Sequence, residues 1–483
     1  MRVLFVTSEV AGLFKLGGLA DVSRALTIAL SKLGVKVAII LPYYQDLKID
    51  KPHGIGTLAV TYKGRRELVF VFTSKLPGAK VDVMLLRHPF LDKYDGDKII
   101  SHFAFFALAV VAFIRQAKYI LGNNLDVIHC QDWHTSLVPL LLGENNKLTA
   151  QTPTIQARSN KTILTIHNML YQGVTGAAII EDLGLPRSIF HIFGEKDHEY
   201  INILREALEY ADVISTVSPT YAREITTPEF GQGLNEILSK RRRNLVGILN
   251  GIDEDYWDPA HDKFLPVNFA KSSVVKGKKE AKEKLQVELG LPKVNLTLFC
   301  FVGRLEVRQK GIDILLKTLL KLLPDQNFQF VLLGNGGPEI YKEFEKLAGH
   351  FPKNFIFRHE FNEELAHLIY GGADVLVVPS KFEPCGLTQM IAMRYGTLPL
   401  VRKTGGLDDS VEDDLDGFEF SKYLASELTV KMSEVIKLWH EQPLVWQKMV
   451  IKAMEKDFSW TKSAKLYLKL YKDLLAQKYG RAW

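Results

Sequence analysis

Two doubly wound α/β domains are predicted by three features of this 483-residue chain. It is too long for one hydrophobic core, which rarely grows past about 250–300 residues. It opens on a strand, a glycine-rich loop, a helix and a second strand, the usual start of an open parallel sheet. Past the middle, after a stretch of weak periodicity, the same alternation begins again. Ligands of such sheets bind at the carboxyl ends of the strands, so the residues just after each strand are the functional candidates.

Composition narrows the class. Hydrophobic residues make up 47% and charged residues 24%, ordinary for a globular chain. A net charge of +6 suits an anionic small molecule and does not call for nucleic acid. Cys130, Cys300 and Cys385 are far apart, odd in number and without a CxxC pair. That points to a reducing compartment and away from a disulfide framework or zinc site. Met1–Thr7 is too short an apolar run for a secretory signal. Phe103–Ile114, the longest apolar run, falls short of the roughly 20 residues that span a bilayer and reads as a buried core helix.

In the first half, Arg2–Thr7 is a buried strand and Lys15-Leu16-Gly17-Gly18-Leu19-Ala20-Asp21 a loop. Val22–Leu33 is a helix stopped by Gly34, and Lys36–Leu41 a strand halted by Pro42. The loop lacks the GxGxxG spacing, which counts against a dinucleotide enzyme. Locally it reads as a mobile surface loop or as an anion site. Thr57–Leu86 alternates and extends the sheet. Leu125–Cys130 is a strand running into Gln131-Asp132-Trp133-His134. His129 and His134 lack a third ligand, so no metal is expected. Thr162–Ile166 is a strand followed by His167-Asn168-Met169-Leu170-Tyr171-Gln172-Gly173. A histidine there is as often a satisfied core residue as a functional one. Ala211–Pro219 is a strand and turn, and Lys240–Arg243 a basic run read as a solvated face.

The first domain is expected over residues 1–249, closed by a strand at Val246–Leu249 and a turn at Asn250-Gly251-Ile252-Asp253. The stretch to about Lys284 reads as a linker into a second domain over 250–459. There Leu296–Val302, Phe328–Leu333, Phe355–Arg358, Ala373–Val378 and Leu398–Val401 are strands. Gly303–Gly311 is a loop, Ile312–Leu323 a helix. A last helix is expected at Ala464–Gln477, within a C-terminal segment, 460–483. After Val378 come a lone carboxylate, Glu383, fixed by Pro384, and then Cys385-Gly386-Leu387-Thr388 opening a helix. Such a turn aims free amides at one point and suits an anion. Glu383 would repel that anion unless a cation lay between, so it either faces another part of the ligand or is a solvated turn residue.

The run Phe382-Glu383-Pro384-Cys385-Gly386-Leu387-Thr388-Gln389, followed by Tyr395-Gly396-Thr397-Leu398-Pro399 and Thr404-Gly405-Gly406-Leu407, resembles the bacterial glycogen synthases and plant starch synthases. The Lys15 loop, the His-x-x-Asp-Trp-His pattern at His129–His134 and the His167–Gly173 run extend the resemblance to nearly the whole chain. It implies the GT-B architecture, two Rossmann-like domains facing across a cleft, with the last helix packing back on the first domain. It also implies an enzyme that transfers glucose from ADP-glucose to an α-1,4-glucan with retention of configuration, in the cytoplasm, or in a plastid if a transit peptide has been removed. No cofactor, membrane or nucleic acid is implied.

The residues carry over one by one. By resemblance, Glu383, His167, Asp132, Arg304 and Lys310 are the catalytic group. Lys15, Gly17, Gly18, Arg304, Lys310, Phe361, Cys385, Gly386, Leu387 and Thr388 hold the donor. Asp21, Asn168, Tyr171, Gln172 and Asn250 line the acceptor side. Three departures stand out. Ile391 occupies the place where the wider class of retaining transferases has a second Glu. Phe361 replaces the usual stacking Tyr. One extra residue separates Arg304 from Lys310, which the loop is expected to absorb while Arg308 stays solvated. Two rivals are a transferase of the same fold using UDP-glucose or a small acceptor, and a non-enzymatic glucan-binding protein.

Overall fold

The computed structural model describes residues 1–94, 96–149, 160–325 and 327–476. The chain divides into two compact units, Met1–Leu249 with the segment from Trp460 onward, and Asn250–Ser459.

The first unit is built on β1 (Arg2–Val6), β2 (Lys36–Pro42), β3 (His53–Tyr62), β4 (Arg65–Lys75), β5 (Asp82–Arg87), β6 (Val127–Gln131), β7 (Lys161–Ile166), β10 (Val213–Thr216) and β11 (Leu245–Gly247). They lie in the order β11-β10-β7-β6-β1-β2-β5-β4-β3. β8 (Val174–Gly176) and β9 (Tyr200–Asn202) form a separate antiparallel ribbon. Pairing is parallel from β11 to β5. β4 is antiparallel to both its neighbours, so the alternating Thr57–Leu86 region extends a parallel sheet with an antiparallel edge. Val3, Leu4, Phe5 and Val6 are wholly buried, as a strand covered on both faces requires.

Helix Ile99–Leu121 covers one face of this sheet. It is longer than the apolar run at its centre, and by length and composition alone it could cross a bilayer. Phe103, Phe105, Phe106 and Phe113 are instead packed into the core. The opposite face carries helix Gly18–Lys32 and helix Trp460–Leu475. The latter starts four residues earlier than expected, and Gln477, its expected end, lies outside the described residues. Tyr471 donates or accepts at His129 Nδ1 (2.8 Å), and His129 Nε2 meets Thr165 Oγ1 (2.6 Å). Both ring nitrogens are engaged, so His129 has none left for a metal.

The basic run is only partly solvated. Arg241 is buried and its guanidinium reaches the carbonyls of Leu208, Glu209, Ala211 and Asp212, closing the end of helix Ile203–Tyr210. A cation there offsets the helix dipole and the unpaired carbonyls together.

The second unit stacks β12 (Thr297–Val302), β13 (Phe328–Leu333), β14 (Phe355–Arg358), β15 (Val375–Val378), β16 (Leu398–Arg402) and β17 (Phe418–Phe420) in the order β14-β13-β12-β15-β16-β17, all parallel. The expected linker is part of this unit. Leu265 and Phe269 are buried, and Val274–Leu289 is a helix. Its lysine-rich sequence hid an inward stripe of Val274, Gly277, Ala281, Leu285 and Leu289. Lys282 joins the stripe by pairing with Asp374 at 2.5 Å, and Lys278 Nζ reaches the carbonyl of Gly371 and Thr397 Oγ1.

Candidate active site

Strand order reverses at β1 in the first unit and between β12 and β15 in the second, and the functional candidates cluster after those strands. After β12 comes Arg304, exposed and without an ion pair or hydrogen bond among the described residues. The backbone then closes one helical turn, Val307–Lys310, where a loop was expected; Glu306 caps it by accepting from the Arg308 amide. Gly311 ends this turn at φ +68°, and a Cβ there would lie 1.9 Å from the Pro379 carbonyl oxygen. Only glycine lets the two loops meet this closely. Lys381 N donates to Gln309 O at 2.7 Å, completing the join. Lys310 Nζ consequently lies 2.7 Å from Glu383 Oε2. Between Arg304 and Lys310 the chain thus runs through this helical turn. Arg308 remains exposed.

Glu383 is 5% exposed. Its Oε2 also accepts from Ser380 Oγ at 2.9 Å. Buried Arg402 donates to the carbonyls of Ser380 and Lys381, and Gly406 N donates to Glu383 O. Glu383 is therefore held at its side chain through Oε2 and at its backbone. The cation that the sequence required beside it is Lys310. Gly386 follows at φ +71°, where a Cβ would strike the Gln389 side chain. Gln389 Nε2 binds the carbonyls of Cys385 and Gly386, turning the chain so that helix Thr388–Arg394 can start. Burial pushes the Cys385 thiol up to about 12, so it is no nucleophile; the Asn250 backbone amide opposes the shift and places Asn250 beside this loop. Asn250 Oδ1 is buried without a hydrogen-bond partner among the described residues. Phe361 is 86% exposed, a ring left in water ahead of helix Glu363–Gly372.

In the first unit, helix Gly18–Lys32 begins inside the stretch expected to be a loop. Lys15 is not a lone cation: its Nζ is 2.7 Å from Asp21 Oδ1. Asp132, just after β6, is 6% exposed with φ +59° and ψ −175°, a conformation that costs a non-glycine residue energy and marks functional positions. Burial, opposed by the amides of His167, Trp133 and Asn168, pushes its carboxyl up to about 7. Its Oδ1 has no hydrogen-bond partner among the described residues. Half-buried His167, after β7, meets Gln131 Oε1 at 2.9 Å, and burial holds its pKa down at about 4, so the ring is neutral. Asn168 Oδ1 accepts from Leu170 N, and Tyr171 is exposed. Gln172 is fully engaged by Met169 O, Gln232 O and Asn202. These contacts hold the loop.

Residues 2–240 match the family described as starch synthase catalytic domain, and residues 282–452 match glycosyl transferases group 1. A glycogen synthase of Thermodesulfovibrio yellowstonii is 36% identical, with 99% of each chain covered. One from an Anaeromyxobacter strain is 38% identical over 99% of this chain and 100% of its own. This chain belongs to the glycogen and starch synthase family. Among solved structures, the catalytic domain of starch synthase IV from Arabidopsis thaliana, bound to ADP and acarbose, is similar at TM-score 0.85 and 32% identity, covering 98% of this chain and 99% of that one. A sucrose-phosphate synthase from Thermosynechococcus elongatus, at 18% identity and TM-score 0.60, shares the fold. The fold is GT-B.

Within this family the sequence motifs name the strand-end groups, and the structure adds their supports. Ser380, Arg402 and Gln389 were not singled out from the sequence. A serine three residues before the motif glutamate was the available signal for the first, and Gln389 stands in the motif run itself, three and four residues after the carbonyls it binds; Arg402 touches the loop only through the fold.

Asp132 yields a pH prediction. A folded pKa raised above the ordinary carboxylate value means stability that is present at low pH and lost as pH rises towards about 7. We expect Asp132→Asn to melt above wild type at pH 8, to converge on it near pH 4, and to lose activity, a trade of stability against function. Thermal melts at the two pH values check this; an Asn variant that melts below wild type at pH 8 contradicts it.

Proposed function

We propose that this protein transfers glucose from ADP-glucose to the non-reducing end of an α-1,4-glucan with retention of configuration, in the cytoplasm. The observation that carries this reading is Lys310 paired at 2.7 Å with buried Glu383, next to the turn that opens helix Thr388–Arg394. Transfer from a nucleotide diphosphate needs positive charge on the leaving phosphates and negative charge near an oxocarbenium-like sugar. In this reading Lys310, Arg304 and Lys15, with the backbone of Gly18, Gly386, Leu387 and Thr388, supply the first; Gly17, expected among them, has its amide bound to Glu9 Oε2 at 2.9 Å and shapes the loop instead. Glu383 supplies the second, with neutral His167 and Asp132 near the transferring sugar. Phe361 stacks on the base. Asp21, Asn168, Tyr171, Gln172 and Asn250 shape the acceptor side. No metal is needed where these cations act. Double displacement would need a carboxylate against the far face of the sugar; the motifs offer Glu383 and Asp132 for that place and assign neither to it, and front-face attack is the proposed course. The ADP in the Arabidopsis structure supports the donor, and the bacterial relatives support the compartment.

The test is nucleotide release from ADP-glucose and from UDP-glucose, with glycogen or maltose as acceptor. Faster release with UDP-glucose or with maltose favours the rival transferase. Release with no donor favours the binding protein. Lys15→Ala should lower kcat/KM for ADP-glucose by about 10–150-fold, the loss expected for one charge-assisted contact of about 1.5–3 kcal/mol. An unchanged value removes Lys15 from the donor site.

A further inference from the structure

We infer that Glu9 is a positioning residue for donor binding, clamping the Lys15 loop from behind. This rests on the reading of that loop as a donor contact. Glu9 is 6% exposed, three residues past β1, on backbone fixed from both sides. Thr7 Oγ1 bonds Glu9 O (3.1 Å) and Ser23 Oγ (2.9 Å). Val10 and Phe14 exchange two backbone hydrogen bonds, and Ala11 N donates to Ala20 O. From this platform Glu9 Oε2 accepts from the amides of Leu16 and Gly17, the latter at 2.9 Å.

Gly17 is the N-cap of the 15-residue helix Gly18–Lys32 and has no side chain to cap it. Glu9 satisfies the amide of the N-cap residue itself from outside the helix, as the glutamate of a capping box does. The Gly17 amide is thereby taken, which leaves Lys15 and the first turn from Gly18 for a phosphate. Removing the carboxylate frees the amides of Leu16 and Gly17 and with them the loop that carries Lys15, a loss felt in donor binding before it is felt in chemistry.

The experiment is steady-state kinetics of Glu9→Ala, Glu9→Gln and Lys15→Ala with ADP-glucose and glycogen. Glu9→Ala should raise the KM for ADP-glucose by at least about tenfold with kcat within about threefold. Glu9→Gln keeps a carbonyl oxygen that can accept both amides and should restore KM to within about threefold. A role in folding alone would lower kcat and Tm and leave KM in place. The inference is overturned if Glu9→Ala leaves KM unchanged, if it lowers KM (a carboxylate competing with phosphate), or if Glu9→Gln is as impaired as Glu9→Ala. Should Glu9→Ala not fold, Glu9→Asp withdraws the carboxylate by one carbon and carries the same expectation. If Lys15→Ala also leaves KM unchanged, the donor-loop reading fails; if only Glu9→Ala does, this inference alone fails.

Discussion

Glu383→Gln should fold as wild type and lose turnover by at least about 100-fold, the scale on which one preorganised electrostatic partner acts in a water-excluded site. The substitution keeps the shape of the side chain. Its carbonyl oxygen can still accept from Ser380 and Lys310, which hold Glu383 Oε2 at 2.9 and 2.7 Å. What vanishes is the charge. Lys310 keeps access to water, its side chain being 21% exposed, so the variant does not strand a fully buried ammonium. Kinetics with a melting curve on the same preparation decide the matter. Near-normal turnover with a wild-type melting temperature would mean that Glu383 is a turn residue.

Lys310→Ala should cripple turnover by a similar factor, while Arg308→Ala changes it by less than about threefold. Lys310 ends the helical turn Val307–Lys310 and points at Glu383; Arg308, two residues earlier, is exposed. Only a group that touches the reacting charge more strongly in the transition state moves kcat. The pair Lys310→Ala and Glu383→Gln should also be strongly non-additive, because each removes half of one ion pair. A healthy Lys310→Ala beside a crippled Arg308→Ala would move the phosphate role to Arg308 and misplace the extra residue of this loop.

Several elements were misjudged from the sequence for reasons that are physical. The helix Val274–Leu289 was hidden because its inward positions are few and two of its lysines are half-buried on their partners, Lys282 on Asp374 and Lys278 on Thr397. Arg241 looked like one charge of a solvated run because a helix end 30 residues away needs its guanidinium. The apolar run at Phe103 understated its helix, since polar and charged residues at both ends continue the same turns.

What the sequence by itself determined is the part written in local chemistry. Apolar β-branched runs, glycine stops and the residues after each strand were enough to identify two α/β sheets and to point to the Lys15 loop and Glu383 as candidates, while the resemblance of the motifs to a family singled out Asp132, His167, Arg304 and Lys310. Only the tertiary structure decided which of these groups touch and what state they are in. Lys310 meets Glu383 because a turn ending at Gly311 packs on Pro379, 68 residues further on. Asp132 holds its proton towards neutral pH because of burial, and burial is a property of the packed chain. Helix Trp460–Leu475 belongs to the first unit because Tyr467 and Tyr471 fill its core. Contacts between distant residues depend on how the elements pack, and spacing along the chain carries no record of that.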